Sequence, residues 1–127
     1  MPDFPSTLYY ASAFLCAITI PKHILVGFKH VYKAIAKIPP SPEYALGKAL
    51  APTSWDFGVG SLAILALLNY KWATTGGPGS SEENWVIYTY MGTGGFVGWQ
   101  YFKINMLSPL GFLWVAPFMA TVASFLQ

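Results

Sequence analysis

The side chains able to do chemistry in this chain are concentrated in one short stretch. Lys22, His23, Lys29 and His30 end an apolar run that begins at Thr7, and Lys33 and Lys37 continue the pattern. On a helical wheel Ser12, Thr19, Lys22, His23, Lys29, His30, Lys33 and Lys37 fall within roughly a third of the circumference. Imidazoles on such a stripe are candidate acid/base groups near neutral pH. Lys22 or Lys29 beside them would stabilise a developing enolate or phenolate. His23 and His30 lie about 10 Å apart along a straight helix, too far to share one small substrate atom, so His23 is the better single candidate. Asp56 enters the next apolar segment from the same side and is a candidate to orient an imidazole. Its competing role, with Thr53, is a T-x-x-D capping box. The stripe itself has a competing reading: Lys22 snorkels to a membrane surface, Lys29, Lys33 and Lys37 anchor in headgroups, and the His residues do no chemistry.

The apolar run fixes the setting for these groups. Of the 127 residues, 54% are hydrophobic, 17% aromatic and 9% charged. A soluble domain carries about 25% charged residues, so this chain has too few to cover a water-facing surface. The basic residues are all Lys, and the net charge is +2. That balance excludes a nucleic-acid partner, which needs more charge and the bidentate reach of Arg. The single Cys16 lies inside the first run and reads as a packing residue. The start, MPDFPSTLYY, places an acid and no basic residue ahead of the run, so no cleavable signal peptide is expected.

Four apolar segments predict one transmembrane domain over residues 1–127, an all-α integral membrane four-helix bundle. The spans are at about 7–27, 55–73, 85–102 and 109–126. Beyond Gly27 the first helix continues as an amphipathic, interfacial extension. The separators are Pro39-Pro40-Ser41-Pro42, the turn-rich TTGGPGSSEEN at 74–84, and a tight connection at 105–109. Lys29, Lys33, Lys37, Lys48 and Lys103 fall on one side and Lys71 on the other. That asymmetry predicts an N-out/C-out, positive-inside arrangement. The membrane is that of the endoplasmic reticulum or the mitochondrial inner membrane. Glu82 and Glu83 belong to the opposite, outer face and read as solvated. Gly94 and Gly98 form a G-x-x-x-G, Ala116, Ala120 and Ser124 a small-residue row, and Ser54 and Gly58 begin another. Such rows serve close packing within the chain or association into a homo-oligomer. Trp55, Tyr88, Tyr90 and Trp99 are candidate aromatic walls for a substrate. Tyr88 and Tyr90 cannot face the same way on one helix.

No H-E-x-x-H, C-x-x-C or phosphate-binding glycine loop is present, and two His without a third ligand make no metal site. No metal and no cofactor are expected.

The size of the chain, the basic end PKHILVGFKHVY and the terminal SPLGFLWVAP resemble the small four-helix membrane proteins of fungi, the DoxX-like and anthrone-oxygenase-like group. The resemblance implies a bilayer-accessible pocket and a greasy substrate. It carries over no site residue.

Two functions follow as expectations. The first is a membrane-embedded enzyme or binding protein for a small lipophilic molecule, with secondary metabolism as one setting. Whether its reaction is that of a cyclase, isomerase, hydrolase or oxygenase stays open. The pocket would open toward the inner leaflet among the first three helices. The alternative is a non-catalytic accessory subunit of a larger membrane complex, such as a respiratory one. The partners are membrane lipid with either the small molecule or partner subunits.

Overall fold

The computed structural model describes residues 3–127 and is all-helical, with no strand among them. Four helices follow one another. The first runs Phe4–Ala36, the second Ala45–Thr75, the third Ser81–Lys103 and the fourth Gly111–Phe125.

Each boundary has a local cause. Asp3 caps the first helix, its Oδ1 accepting from Ser6 N at 2.8 Å, and Pro5 occupies the first turn where a missing N–H costs nothing. Lys48 Nζ donates to Ile38 O at 2.8 Å, satisfying a carbonyl just beyond that helix's far end. The second helix stops at Gly76, whose φ of 81° is the left-handed conformation that glycine adopts without strain. Asn105 does the same after the third helix with φ 57°. There Asn105 N–H bonds Phe102 O and Met106 N–H bonds Tyr101 O, both at 3.0 Å, which is the Schellman pattern.

The second helix begins well before the expected span, and this overturns the capping box at Thr53. The ALGKALA stretch is rich in helix formers and starts the helix at Ala45. Thr53 is thus interior, and its hydroxyl turns back onto Ala49 O at 3.2 Å and Leu50 O at 3.0 Å.

A capping signal does operate at the third helix. Ser80 Oγ accepts from Glu83 N at 3.3 Å, the S-x-x-E arrangement. Glu83 is not a merely solvated acid, as expected from sequence. It pairs with Lys71, accepts from Trp72 Nε1 at 2.9 Å and accepts from Gly79 N at 2.9 Å. The Lys71 ammonium, then the Gly79 N–H and the Trp72 indole, hold its carboxyl down at about 2. A carboxyl with a lowered folded-state value contributes stability above its ordinary value of 4.5 and loses it as pH falls toward 2. Glu83→Gln is therefore expected to flatten the fall in melting temperature between pH 4.5 and 2. Thermal unfolding of the two proteins across that range checks it, and an unchanged acid slope would count against a stabilising role for the Glu83 contacts with Lys71, Trp72 and Gly79.

Two helices contain a wide π turn, at Gly27–Val31 in the first and Gly111–Val115 in the fourth. In the fourth, Ala116 N–H bonds Gly111 O. The next residue is Pro117, which has no N–H to give to either Phe112 O or Leu113 O. The third helix supplies what is missing. Tyr90 Oη donates to Phe112 O at 2.6 Å. Since that hydroxyl is already donating, Cys16 Sγ, 3.3 Å away, is the donor to it. Leu113 O faces the Cα of Gly94, where any side chain would collide with it.

Backbones come close between the first and second helices, the first and fourth, and the third and fourth. One core cluster holds Tyr9, Trp72, Ala73, Ile87, Ala120 and Ala123, and the other holds Cys16, Leu62, Tyr90 and Ala116. Ser12 is fully buried and donates to Ala116 O at 2.9 Å across the first–fourth seam. The small-residue rows Gly94–Gly98 and Ala116–Ala120 thus pack within the chain.

The first and second helices are both long and apolar enough to cross a membrane. Their most apolar 18-residue stretches are only 22% and 6% buried. Phe14, Ile18, Leu25, Phe57, Ile64 and Leu67 all point outward. The core helix of a soluble protein would bury such residues.

Candidate functional site

Two glycines let the first and second helices seat a pair of rings between them. Gly27 leaves room for the Trp55 indole, since a Cβ there would lie 2.7 Å from its Nε1. Gly58 leaves room for the His23 imidazole, since a Cβ there would lie 3.0 Å from its Nε2. Each helix so offers a ring to the other's glycine. The two rings stack with centroids 3.9 Å apart and planes at 10°. His23 Nε2 is 2.9 Å from Trp55 O. A carbonyl can only accept, so Nε2 carries the proton. In the neutral ring Nδ1 is then the free acceptor, which is the arrangement a general base requires.

This pair forms part of the wall of a cavity of about 800 Å³. The first helix lines it from Leu15 to Val31, with Trp55 from the second helix and Tyr101 from the third. Met106, Ser108, Pro109, Gly111 and Phe112 close it from the connection and the start of the fourth helix. Volumes of about 300–1,000 Å³ are usual for sites that take small organic ligands. The polar side chains in the wall are Thr19, Lys22, His23, His30, Tyr101 and Ser108. Lys22 Nζ donates to Ser108 Oγ. Among the described residues, no Asp or Glu lines this cavity, and the salt bridge Lys71–Glu83 is the one ion pair. Lys22 therefore has a neutral partner and no protein counter-charge.

The structure brings Lys22, His23, His30 and Trp55 together around this space. Lys29 is exposed and lies outside the lining. The expected Asp56–His pairing is not formed: Asp56 accepts from the Tyr32 hydroxyl instead. His23 has turned instead to the carbonyl of Trp55, the residue before Asp56, because the notch at Gly58 draws its ring flat onto the indole. Three of the four proposed aromatic walls lie elsewhere. Tyr88 is exposed and packs edge-on against Trp85 at 6.0 Å. Tyr90 is buried in its hydrogen bond to Phe112 O. Trp99 stacks on Phe102 at 5.7 Å and lines a separate apolar groove of about 460 Å³ with Met91, Gly95, Trp114 and Phe118.

Tyr101, Met106, Ser108 and Phe112 are lining residues that the sequence reading did not select. Ser108 carried a usable signal, being a hydroxyl in the short connection on the side that Lys22 approaches. The apolar members carried none. Among the described residues, no three His, Cys, Asp or Glu side chains converge as metal ligands would.

No protein-family model, no curated protein and no solved structure matches this chain.

Proposed function

We propose that the chain is a multi-pass membrane protein, N-out and C-out, that binds a small lipophilic molecule and acts on it by acid/base chemistry. The observation that carries this reading is the cavity itself: apolar along Leu15, Ile18, Val26 and Phe112, with Lys22, His23 and His30 in the same wall. His23, with its tautomer set by Trp55 O, is the base, and Lys22 stabilises the anion formed. The outward apolar faces of the two long helices support insertion, because lipid is the solvent that suits them. The Lys asymmetry supports the orientation. The resemblance to the DoxX-like and anthrone-oxygenase-like group implies the same class of substrate.

The alternative, an accessory subunit, draws on the second groove. Met91, Trp99, Trp114 and Phe118 wall it, and Gly92 and Gly95 beside them face open space, where a partner's helix could lie close.

One preparation tests both. Purification in a mild detergent followed by native mass spectrometry is expected to give the chain with a bound apolar molecule. Stoichiometric partner chains and an empty cavity would favour the subunit. Topology is tested in a Cys16→Ala background with single thiols introduced at Ser41 and Ser80. The two are expected to label from opposite faces of the membrane, and labelling from one face would remove the four-span arrangement.

A further inference from the structure

We infer that the molecule in the cavity is an anionic amphiphile, an apolar chain ending in a carboxylate or phosphate. This rests on the proposed function, and it narrows the ligand from any lipophile to one charge type. Among the described residues, the cavity wall holds basic side chains and no acid. Lys22, His23 and His30 are the groups in the wall able to carry charge near neutral pH, and each becomes cationic on protonation. Asp56, the nearest acid in sequence to the Trp55 wall, is occupied by the Tyr32 hydroxyl. Lys22 sits exposed at the edge of this apolar space with no acid beside it, and an anionic ligand head would give it a charge-assisted partner.

The shape points the same way. Lys22 and Ser108 present adjoining donors, an ammonium and a hydroxyl, suited to two oxygens of one acidic head. Past them the wall is apolar, through Ile18 and Leu15 on one side and Phe112 on the other. Ile18 is 53% exposed, so this apolar floor is continuous with the outer surface of the helix. A head held at Lys22 can thus leave its chain lying along the protein into surrounding lipid. A neutral sterol or a polyaromatic ring system would leave the Lys22 charge unmatched.

Two sources share this chemistry, a free fatty acid and an acidic phospholipid. The test is a binding titration of the full chain in nonionic detergent, read by native mass spectrometry. Oleate, oleyl alcohol, dioleoyl phosphatidic acid and dioleoyl phosphatidylcholine are the probes. Oleate is expected to bind at least about tenfold tighter than oleyl alcohol, the scale of one charge-assisted hydrogen bond. Lys22→Gln should erase most of that preference, and Lys22→Arg should retain it. Lys33→Gln, on the outer surface, serves as the control and should also retain it. Phosphatidic acid exceeding oleate would identify a phospholipid head, and the reverse a free acid; both support the inference. Equal affinity for oleate and oleyl alcohol, with Lys22→Gln indistinguishable from the parent, would overturn the anionic head while leaving a lipophile-binding cavity. Binding of none of the four would overturn both.

Discussion

Gly94→Leu is expected to yield no folded monomer. A side chain at Gly94 meets the backbone carbonyl of Leu113, which belongs to the π turn and has nowhere to move. At Gly98 the obstacle is the Trp114 indole, a side chain that can swing aside. The ranking follows: Gly94→Ala should cost more than Gly98→Ala. Overpacking by a methyl group costs about 1–3 kcal/mol, with the backbone collision at the upper end. Gly98→Leu should still separate the third and fourth helices, with a lower melting temperature and altered elution. Gly92 and Gly95 have open space where their side chains would be, so alanine there should leave both readouts unchanged. Stability retained in Gly94→Leu would mean that the third and fourth helices do not meet along this row. Disruption by Gly92→Ala would place a partner on the outer face.

The second large effect concerns Tyr90. Tyr90→Phe removes the donor that satisfies Phe112 O and the acceptor that Cys16 uses. Leaving a buried carbonyl unpaired costs about 1–3 kcal/mol. Phe112 O depends on Tyr90 because Pro117 cannot donate to it, and this makes the effect testable by rescue. Pro117→Ala restores one backbone N–H to the pair Phe112 O and Leu113 O. In the Tyr90→Phe background it should therefore recover part of the loss, giving a coupling energy above the roughly 0.5 kcal/mol scatter of independent sites. Additive losses in the double variant would show that Tyr90 contributes by packing alone.

Much of the helical layout was legible because its punctuation is chemical. Pro39-Pro40, Gly76-Gly77 and Asn105 each stop or turn a helix for reasons a residue type carries by itself. The small-residue rows were legible for the same reason, since only glycine or alanine admits a neighbouring backbone. They also held information left unread. Ile87, Tyr90, Gly94 and Gly98 share one face at helical spacing, so the row that packs the third helix also buries Tyr90 and turns Tyr88 away. Likewise Ser80 and Glu83 spell a capping signal, and an acid in that position is recruited rather than merely solvated. The start of the second helix was missed because Pro52 and Thr53 look like a boundary, while the formers upstream carry the helix through them. The grouping of Lys22, His23 and His30 followed from the stripe. The cavity they line did not, because it depends on two π turns and two ring-on-glycine notches. A uniform 100° per residue cannot anticipate a wide turn, and no residue type encodes one. The Asp56–His pairing failed for a related reason: proximity of two helices does not specify which of two adjacent groups, a carboxylate or the carbonyl before it, receives the ring.

The order of close backbone contacts also bears on how the protein is made. The first and second helices pair with each other, the third with the fourth, and the two pairs meet along the first–fourth seam. Each pair is an antiparallel helical hairpin local in sequence. The leading hairpin has its full set of internal contacts as soon as Thr75 has been synthesised. The third helix is held to that pair by Glu83 on Lys71 and Trp72, by Ile87 against Tyr9 and Trp72, and by the Cys16–Tyr90 hydrogen bond, before the fourth arrives to cover Gly94 and Gly98. The fourth helix and the connection before it bring Ser108, Phe112 and the seam with Ser12 together, so the cavity comes into being only once they have been made.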